Sequence, residues 1–291
     1  MLRTDFIHQL EHICSEIENQ PVSLRAYEKI YGGDINETYR LAMTDKDYFI
    51  KINAREKLSM FKVEAKSLQV LSASGSFRIP EVYESGEFEE KSYLLMEFIP
   101  SLIEGSHPEN FAQSLAKMHQ NTYEKYGLYF DNYIGSLPQY NKEKNDWTDF
   151  YIENRLQYQL NLAQQQGIIP AEIIHQFDKL YNFLSGFLIT EKPSLLHGDL
   201  WNGNYFYDTT GKAVVFDPAI YYGNREVDLA MMSLFGGFEP EIYRQYDEIF
   251  PLETGWKERL KIYQLYPLLV HLNLFGTSYL PAIKQVLDDF V

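Results

Sequence analysis

The stretch LLHGDLWNGNYFYD, residues 195–208, groups a histidine, two carboxylates and two asparagines between apolar flanks. Within it, His197, Asp199 and Asn204 have the spacing H-x-D-x-x-x-x-N, which is typical of the catalytic loop of phosphotransferases. In that chemistry the carboxylate takes the proton of the acceptor hydroxyl, and the amide oxygen holds a magnesium ion. The pattern alone is weak, because His197 and Asp199 are also compatible with a hydrogen-bonded pair in a folded core.

Three further residues suit the same chemistry. Asp217 ends the apolar run of AVVFDPA thirteen residues after Asn204, where a second oxygen ligand for magnesium is needed. Lys51 lies in the alternating stretch DYFIKIN and shares a predicted strand face with Phe49. Glu64 follows Lys51 by thirteen residues on a predicted helix, where it can pair with that lysine. Lys51 would then hold the α- and β-phosphates of a nucleotide, and Glu64 would fix its rotamer.

A turn with Gly32 and Gly33, followed by Asp34, separates the first two predicted strands, and its backbone N–H groups would cover the phosphates. Each feature also has an ordinary interpretation. A lysine on a strand is usually solvated, a glutamate on a helix usually lies at the surface, and Gly-Gly-Asp is first of all a hairpin turn. The turn also lacks the full G-x-G-x-x-G pattern. The order of turn, lysine, glutamate, H-x-D loop and aspartate nevertheless favours one phosphotransfer site over five unrelated features.

Secondary-structure signals predict a sheet-rich N-terminal part and a helical remainder. A helix over 4–19, three strands within 22–53, a helix over 59–75 and two strands around a glycine-containing turn within 79–99 make up the first part. The helices expected after Pro100 cover 108–124, 147–166, 171–189, 225–235, 239–248, 256–275 and 281–290. The expected fold class is therefore α+β. Residues 1–98 form a small antiparallel sheet lobe with one key helix, and residues 99–291 form a larger, mainly helical lobe with the catalytic loop and substrate site.

The composition limits the class of partner. The 291 residues carry a formal net charge of −15 and a pI near 4.9, which argues against nucleic acid, because binding phosphates needs clustered Lys and Arg. The single cysteine, Cys14, excludes an intramolecular disulfide and suits a reducing compartment. No apolar run approaches the roughly 20 residues of a membrane span. We therefore expect a cytoplasmic protein that binds neither nucleic acid nor membrane.

The segment after Asp217 favours a small-molecule acceptor. Asp217 and Asp228 are only eleven residues apart, whereas a protein kinase needs a longer activation segment with a docking platform for a peptide. Position 198 is glycine, where protein kinases keep an arginine that reads an activation-loop phosphate. Both features disfavour a protein kinase.

Several longer motifs together resemble the fructosamine/ketosamine kinase family, a relative of the aminoglycoside and choline kinases. They are LLHGDLWNGN, FDPAIYYGNREVDLA, LFGGF, IGSLPQYN followed by DWTDFYIENRL, and RLKIYQLYPLLVHLNLFG. The resemblance runs from about residue 30 to the C-terminus. It implies a bilobal protein-kinase-like fold and ATP-dependent phosphorylation of the 3-hydroxyl of a ketosamine, a deglycation reaction that destabilises the adduct and regenerates the amine. It also implies ATP and Mg²⁺ as cofactors, and a ketosamine or glycated amine, free or on a protein side chain, as partner.

The family pattern, carried onto this chain, gives roles to the residues identified above. It makes Asp199 the base and Asn204 with Asp217 the magnesium ligands. Lys51, matched to Glu64, becomes the lysine that binds the phosphates.

The resemblance also implies roles for residues that the spacing did not single out. Three consecutive residues fall where the adenine-binding connector lies, with backbone groups doing the recognition: Glu97, Phe98 and Ile99. Asp228 resembles the buried carboxylate that braces the catalytic loop. The expected substrate contacts near the base are Trp201, Asn202 and Tyr221. Core packing explains Trp201 equally well.

Two departures from the family pattern matter. Asn224 stands where the family often has histidine, so the contribution of that histidine, including any to substrate preference, is expected to change. Some members carry a cysteine in the phosphate-binding turn, but residues 31–38 read YGGDINET, so we expect activity to be insensitive to oxidants through that loop. The alternatives are a kinase for aminoglycosides, choline or a plain sugar, and a catalytically inactive nucleotide-binding scaffold.

Overall fold

A computed structural model describes residues 2–31, 35–102 and 110–291. The predicted phosphate turn with Gly32 and Gly33 lies outside the described residues. The chain forms two compact units. The sheet unit comprises Met1–Ala73, Arg78–Pro108 and Phe206–Phe216, and the helical unit comprises Ser74–Phe77, Glu109–Tyr205 and Asp217–Val291.

The described residues contain the following regular elements. The α-helices are α1 Thr4–Glu18, α2 Leu58–Ala73, α3 Phe111–His119, α4 Trp147–Phe150, α5 Tyr158–Gln165, α6 Ala171–Phe187, α7 Glu226–Leu234, α8 Pro240–Ile249, α9 Trp256–Phe275 and α10 Leu280–Phe290. The strands are β1 Leu24–Ile30, β2 Glu37–Met43, β3 Asp47–Ala54, β4 Val82–Phe88, β5 Lys91–Glu97, β6 Asn132–Ile134, β7 Leu137–Gln139, β8 Ser194–Leu196, β9 Tyr205–Tyr207, β10 Ala213–Val215 and β11 Tyr221–Gly223. The prediction of an α+β chain, with strands first and helices after, is confirmed.

The sheet unit is built on one five-stranded antiparallel sheet with the order β1-β2-β3-β5-β4. The alternation along β3 explains how the sheet packs between two helices. Tyr48, Ile50 and Ile52 join the buried cluster that contains the apolar face of α1. Phe49 points the other way and packs against the cluster around Phe61 on α2. Successive side chains of a strand alternate between its two faces, so the odd-numbered position 51 lies on the α2 face, as predicted.

The turn between β4 and β5 differs from the prediction. The sequence suggested a glycine-containing turn, but Gly86 lies within β4 and pairs with Tyr93 of β5. The turn comes after Phe88, the last residue of β4, and within it Glu89 adopts a left-handed conformation with φ 50°. Gly86 is needed for space, because a Cβ there would overlap the Tyr93 ring and hydroxyl.

The helical unit departs from the predicted helix limits in two places. α3 covers Phe111–His119 rather than 108–124, because the Asn110 side chain caps its start by accepting from the Gln113 N–H at 3.2 Å. The Asn121 amide donates to the last carbonyls at its end, including that of Lys117 at 2.8 Å.

The helix expected over 147–166 is interrupted. It consists of α4, a π-helix over Tyr151–Gln157 and α5. The β6–β7 hairpin that precedes it was not predicted, since its strands have only three residues each. Both features belong to the polar network described below.

The long helix α9 is the centre of the helical unit, and it packs against α5, α7 and α10. Its buried residues occur on all sides, which is typical of a central helix. Within the three described ranges, the helices lack the combination of length and hydropathy that a bilayer crossing requires.

Candidate active site

The loop that carries the H-x-D motif is fixed by a buried carboxylate of the helical unit. Asp228, in the first turn of α7, accepts the backbone N–H of His197 at 2.8 Å and of Gly198 at 2.9 Å. The Nε2 atom of His119 lies 3.1 Å from Asp228 Oδ2 and carries the proton of that contact, because a carboxylate can only accept. All of these side chains are fully buried. The bracing arrangement expected for Asp228 is therefore present.

Glycine at position 198 is required by the backbone. Gly198 has φ 81°, in the left-handed region, and a Cβ there would overlap the carbonyl oxygen of Ala219. The chain approaches this closely because the Ala219 N–H donates to the His197 carbonyl at 2.9 Å. The H-x-D loop and the segment after Asp217 are thus in direct backbone contact, which leaves no room for a side chain at residue 198.

Asp199 and Asn204 are joined by hydrogen bonds. A 3₁₀ turn over Asn202–Asn204 brings the Asn204 amide back to the loop. Its Nδ2 donates to the Asp199 carbonyl oxygen at 2.8 Å and to Oδ2 of the Asp199 carboxylate at 3.1 Å. Since the nitrogen of the amide is directed at Asp199, Oδ1 is the end that can bind a cation.

Asp199 has a strongly altered acidity. Burial and the nearby Asp217 carboxylate raise its pKa to about 7, although the hydrogen bond from Asn204 acts in the opposite direction. A carboxyl group that titrates near neutral pH is suited to exchange a proton with a substrate.

Asp217 has an unusual backbone. Its φ of 55° is in the left-handed region, and Pro218 follows it. Such conformations are costly for residues other than glycine and persist where the surrounding structure determines them, often at functional sites.

The donor set of Asn204 and Asp217 fits magnesium. It offers one amide oxygen and one carboxylate, which are hard ligands. Magnesium that accompanies a nucleotide is bound by one or two protein oxygens, phosphates and water, rather than by an all-protein cage. Residues 2–31, 35–102 and 110–291 contain no group of three or more His, Cys, Asp and Glu side chains that would hold a metal ion.

The sheet unit contains the predicted lysine pair. Lys51 Nζ lies 2.6 Å from Glu64 Oε1, so the thirteen-residue spacing between β3 and α2 does bring the two side chains together. Lys51 is 3% exposed, which is rare for lysine and requires a charged partner. The ordinary interpretation of Lys51 as a solvated strand residue is therefore wrong.

The proposed connector lies at the end of β5. The Glu97 N–H donates to the Glu81 carbonyl at 2.8 Å, and its carboxylate accepts from Arg78 Nη2 at 2.6 Å. The Arg40 guanidinium lies 4.9 Å from the centroid of the Phe98 ring, and Ile99 is buried. The Glu97 side chain thus acts in bracing the sheet unit, a role that sequence reasoning missed.

Arg78 makes a second ion pair that the sequence did not indicate. Its other terminal nitrogen donates to Asp208, which is fully buried. Burial alone would raise the pKa of Asp208, but hydrogen bonds from Thr210, Arg78 and the Lys212 backbone hold that pKa far below its usual range. The Asp208 carboxylate therefore stays ionised and ties the residues around β9 and β10 to the sheet unit. No sequence signal marks this pair, because Arg78 and Asp208 are 130 residues apart.

The three candidate substrate contacts occupy different environments. Trp201 is partly buried, with its ring edge-to-face against Phe235 at 6.3 Å between centroids, and Asn202 is exposed. Tyr221 in β11 is fully buried, and the Arg155 guanidinium lies 3.9 Å from its ring centroid. Tyr221 is therefore packed in the core.

Asn224, at the position where the resemblance implies a histidine in many family members, is also buried. Its Oδ1 accepts from the Glu226 N–H at 2.9 Å, and its backbone carbonyl accepts from Val227 N–H at 3.1 Å. Asn224 therefore satisfies the first N–H groups of α7. This geometry gives Asn224 a capping role.

Comparison with known proteins agrees with this geometry. A family model described as fructosamine kinase matches residues 6–291. A probable ketoamine kinase of Enterococcus faecium is 43% identical over 266 residues, which cover 90% of this chain and 94% of that protein. The chloroplastic protein-ribulosamine 3-kinase of Oryza sativa subsp. japonica is 35% identical over 280 residues, which cover 94% of this chain and 81% of that protein.

Solved structures show the same relationship. A crystal structure of a Haemophilus somnus protein described as a fructosamine-3-kinase has a TM-score of 0.86 at 33% identity and covers 98% of this chain and 99% of its own. A thermostable variant of an aminoglycoside phosphotransferase, crystallised with AMP-PNP and hygromycin B, has a TM-score of 0.62 at 16% identity, with 97% and 99% covered. At that identity the second structure shows a shared fold alone. The matches over nearly all of the sequence show that this chain belongs to the fructosamine kinase family.

Proposed function

We propose that the chain transfers the γ-phosphoryl group of ATP to the 3-hydroxyl of ketosamines, with Mg²⁺ as cofactor. The acceptors are sugar-derived adducts of the fructosamine or ribulosamine type, on a free amine or a protein side chain, and the reaction initiates their removal. Membership in the fructosamine kinase family supports the reaction type. The names of the relatives, ketoamine kinase and protein-ribulosamine 3-kinase, support the class of acceptor.

One observation carries the assignment of the base. Asp199 is held by Asn204 and lies near the carboxylate of Asp217, and this environment raises its pKa to about 7. At neutral pH such a group alternates between its charged and neutral forms, which is the property that a general base requires.

The mechanism assigns a separate task to each side chain. Asp199 accepts a hydrogen bond from the acceptor hydroxyl and so orients a lone pair of that hydroxyl toward the γ-phosphorus. It takes the proton as the new P–O bond forms and the bond from the γ-phosphorus to the ADP leaving group breaks. Asn204 keeps the carboxylate in that orientation. Lys51 donates to phosphate oxygens, and Glu64 holds its rotamer. When bound, ATP would supply the phosphoryl group, and Mg²⁺ held by Asn204 and Asp217 would supply positive charge for the phosphoryl oxygens.

In this proposal, one part of the sequence binds the nucleotide phosphates and another part binds the acceptor. Residues 1–98 supply Gly32 and Gly33, for which the sequence predicts a phosphate-binding turn, and the start of the adenine connector. Residues 99–291 supply the base and the acceptor site. Because the Glu97 N–H and carboxylate are already engaged, adenine recognition falls to other backbone groups of Glu97, Phe98 and Ile99.

Trp201 and Asn202 remain the proposed acceptor contacts. They follow the base by two and three residues, and part of each side chain is exposed. An aromatic ring can cover the apolar face of a sugar while an amide binds its hydroxyls. Tyr221 is not among the proposed acceptor contacts, because its side chain is fully buried.

A panel of acceptors tests the proposed reaction. Ribulosamine, erythrulosamine and fructosamine derivatives would be compared with aminoglycosides, choline and free sugars by ATP-dependent release of ADP, and the phosphate would be located by NMR. We expect turnover with ketosamines and a phosphate on O3. Turnover confined to aminoglycosides or choline would support the other small-molecule kinases, and nucleotide binding without turnover on any acceptor would support an inactive scaffold.

The base is tested by Asp199→Asn. We expect turnover to fall by about 10²–10⁴-fold or more while the Kd for ATP stays nearly unchanged, because the residue acts on the acceptor proton. Asp178→Asn, at an exposed position on α6, is the matched control. Phosphorylation of ketosamines by Asp199→Asn at the wild-type rate would refute the assignment.

A further inference from the structure

We propose that Gln139, at the end of β7, is a positioning residue that holds the metal-binding segment around Asp217 against the catalytic loop. This inference rests on the proposed function, because it concerns the site for Mg²⁺. Neither the spacing of the catalytic motif nor the family pattern assigned a role to this glutamine.

The first step concerns Ala219, two residues after Asp217. Its N–H donates to the His197 carbonyl at 2.9 Å, and its own carbonyl accepts from Gln139 Nε2 at 2.9 Å. The backbone of Ala219 is therefore fixed on one side by the catalytic loop and on the other by a side chain of the β6–β7 hairpin.

Asn132, on β6, extends this contact to the next residue. Its Nδ2 donates to the Ile220 carbonyl at 2.8 Å, while its Oδ1 accepts from Gln139 Nε2 at 2.8 Å. Two consecutive carbonyls behind Asp217 are thus held by two amides that also bind each other. Both amides are almost completely buried, so water does not compete for these bonds.

The orientation of each amide is dictated by its neighbours. Arg155, on the π-helix, can only donate, and its Nη2 donates to Asn141 Oδ1 at 2.7 Å. Asn141 must therefore present its Nδ2 to Asn132 Oδ1, at 2.9 Å, which leaves the Asn132 nitrogen for Ile220. A π-helix is often found at a functional site, and here it delivers the residue that sets the direction of the network.

The orientation of the Gln139 amide is set by the Ala219 carbonyl. Because a carbonyl can only accept, Gln139 must present Nε2 to it, and Oε1 is left to accept from the Tyr266 hydroxyl on α9 at 2.7 Å. Every bond in the network has one allowed direction. Exchange of the two amide ends is excluded, because it would place the oxygen of Gln139 against the carbonyl of Ala219.

The backbone of Asp217 explains why such a network is needed. Its left-handed φ of 55° is unfavourable for a residue with a side chain, and this conformation persists when neighbouring contacts enforce it. The fixed carbonyls of Ala219 and Ile220 enforce it from the C-terminal side. Without the Gln139 donor, the segment can relax and displace the Asp217 carboxylate from its place as a ligand.

The test compares the isosteric Gln139→Glu, which removes the donor, and Gln139→Leu with a matched control. Gln159→Leu removes another fully buried glutamine of the helical unit, whose Oε1 accepts from Asn273 on α9 at 2.8 Å. The readouts are the affinity of the ADP complex for Mn²⁺, measured by electron paramagnetic resonance, and the Mg²⁺ dependence of kcat. ADP affinity without metal and the melting temperature are measured in parallel.

We expect both Gln139 variants to weaken Mn²⁺ binding by about 10-fold or more, as loss of a partner that orients a metal ligand does elsewhere. ADP affinity without metal should stay unchanged. Gln159→Leu should lower the melting temperature and leave Mn²⁺ affinity at the wild-type value. If Gln139→Leu does not fold, Gln139→Glu and Asn132→Asp, which loses the donor to Ile220, decide the question.

Two results would overturn the inference. One is wild-type Mn²⁺ affinity in folded Gln139→Glu or Asn132→Asp, and the other is an equal loss of affinity in Gln159→Leu. These differ from failure of the proposed function, in which the wild-type chain itself transfers no phosphate to ketosamines.

Discussion

Replacement of Asp199 by asparagine is expected to stabilise the fold while it removes the proposed base. The Asp199 carboxyl is partly buried next to Asp217, and its ionised form is therefore disfavoured in the folded chain. Asparagine has nearly the same shape and lacks the charge. Its side-chain oxygen can still accept the hydrogen bond from Asn204 Nδ2, which is 3.1 Å long in the wild-type chain.

The size of the effect follows from the two pKa values. The carboxyl has an ordinary pKa of 3.8 and a folded-state pKa of about 7. The folded state therefore binds the proton more tightly than the unfolded state, and the free energy of unfolding decreases as the pH rises from about 4 to about 7. At about 1.4 kcal/mol per pKa unit, the penalty has a ceiling of about 4 kcal/mol above pH 7 and about 2 kcal/mol at pH 5.5.

The assay is thermal unfolding of wild type and Asp199→Asn between pH 5.5 and 8.5, with EDTA present because a bound cation would stabilise the carboxylates. The variant should melt at a higher temperature throughout, and its advantage should grow up to about pH 7 and then level off. For chains of this size, 1 kcal/mol corresponds to about 2–4 °C. Asp178→Asn, an exposed substitution, should not show the gain.

Two outcomes would refute this reasoning. A variant no more stable than wild type at pH 8 would show that the ionised Asp199 is not strained in the fold. An advantage that is the same from pH 5.5 to 8.5 would show that proton binding is not its cause. A gain in stability with a loss of turnover is the trade-off expected of a catalytic group that is held at a cost.

Three further predictions concern other charged or capping residues. Glu64→Gln should raise the KM for ATP about 10-fold and Lys51→Met should raise it further, because this ion pair is proposed to bind the phosphates of ATP; unchanged steady-state KM values would contradict this. Arg259→Met should destabilise the fold by about 3–5 kcal/mol in chemical denaturation, because it leaves the buried Glu226 charge unpaired, and adding Glu226→Gln should recover much of the loss. Asn224→Ala should cost about 1 kcal/mol in the same assay with the ketosamine KM unchanged, whereas a large KM change would indicate a role in substrate binding.

Pairs of site residues could be predicted from the sequence where the phosphotransfer chemistry requires a fixed number of residues between them. The distance from Asp199 to Asn204 along the chain is set by one short loop, and the observed hydrogen bonds span that loop. The pairing of Lys51 with Glu64 was predictable for a related reason. A strand followed directly by a helix that packs on the same sheet face leaves few positions from which a glutamate can reach the lysine.

The limits of elements were less predictable where side chains decide them. The Asn110 cap and the Asn121 amide set the ends of α3, and single asparagines occur too widely to mark such ends with certainty. Gly86 read as a turn signal, but it is a strand residue that makes space for Tyr93. The sequence shows that a glycine is present, and tertiary structure decides whether its use is conformational or steric.

The positioning groups could not be predicted, because their partners are distant along the chain and follow no spacing. Gln139 reaches Ala219 across 80 residues, and Arg78 reaches Asp208 across 130. Each of these bonds depends on the register of short elements whose existence was itself unclear from the sequence.

For Asp217, the residue type could be interpreted from the sequence, but the backbone conformation could not be predicted. Its residue type and its place after an apolar strand predict a metal ligand from the sequence alone. Its left-handed backbone does not follow from the local sequence, because aspartate before proline has no such preference. The conformation requires the contact of Ala219 with the catalytic loop and the amides of Asn132 and Gln139. A chain that kept the H-x-D-x-x-x-x-N motif but lost these amides would therefore retain the residue types of the site without the geometry that the proposed metal-binding role of Asp217 requires.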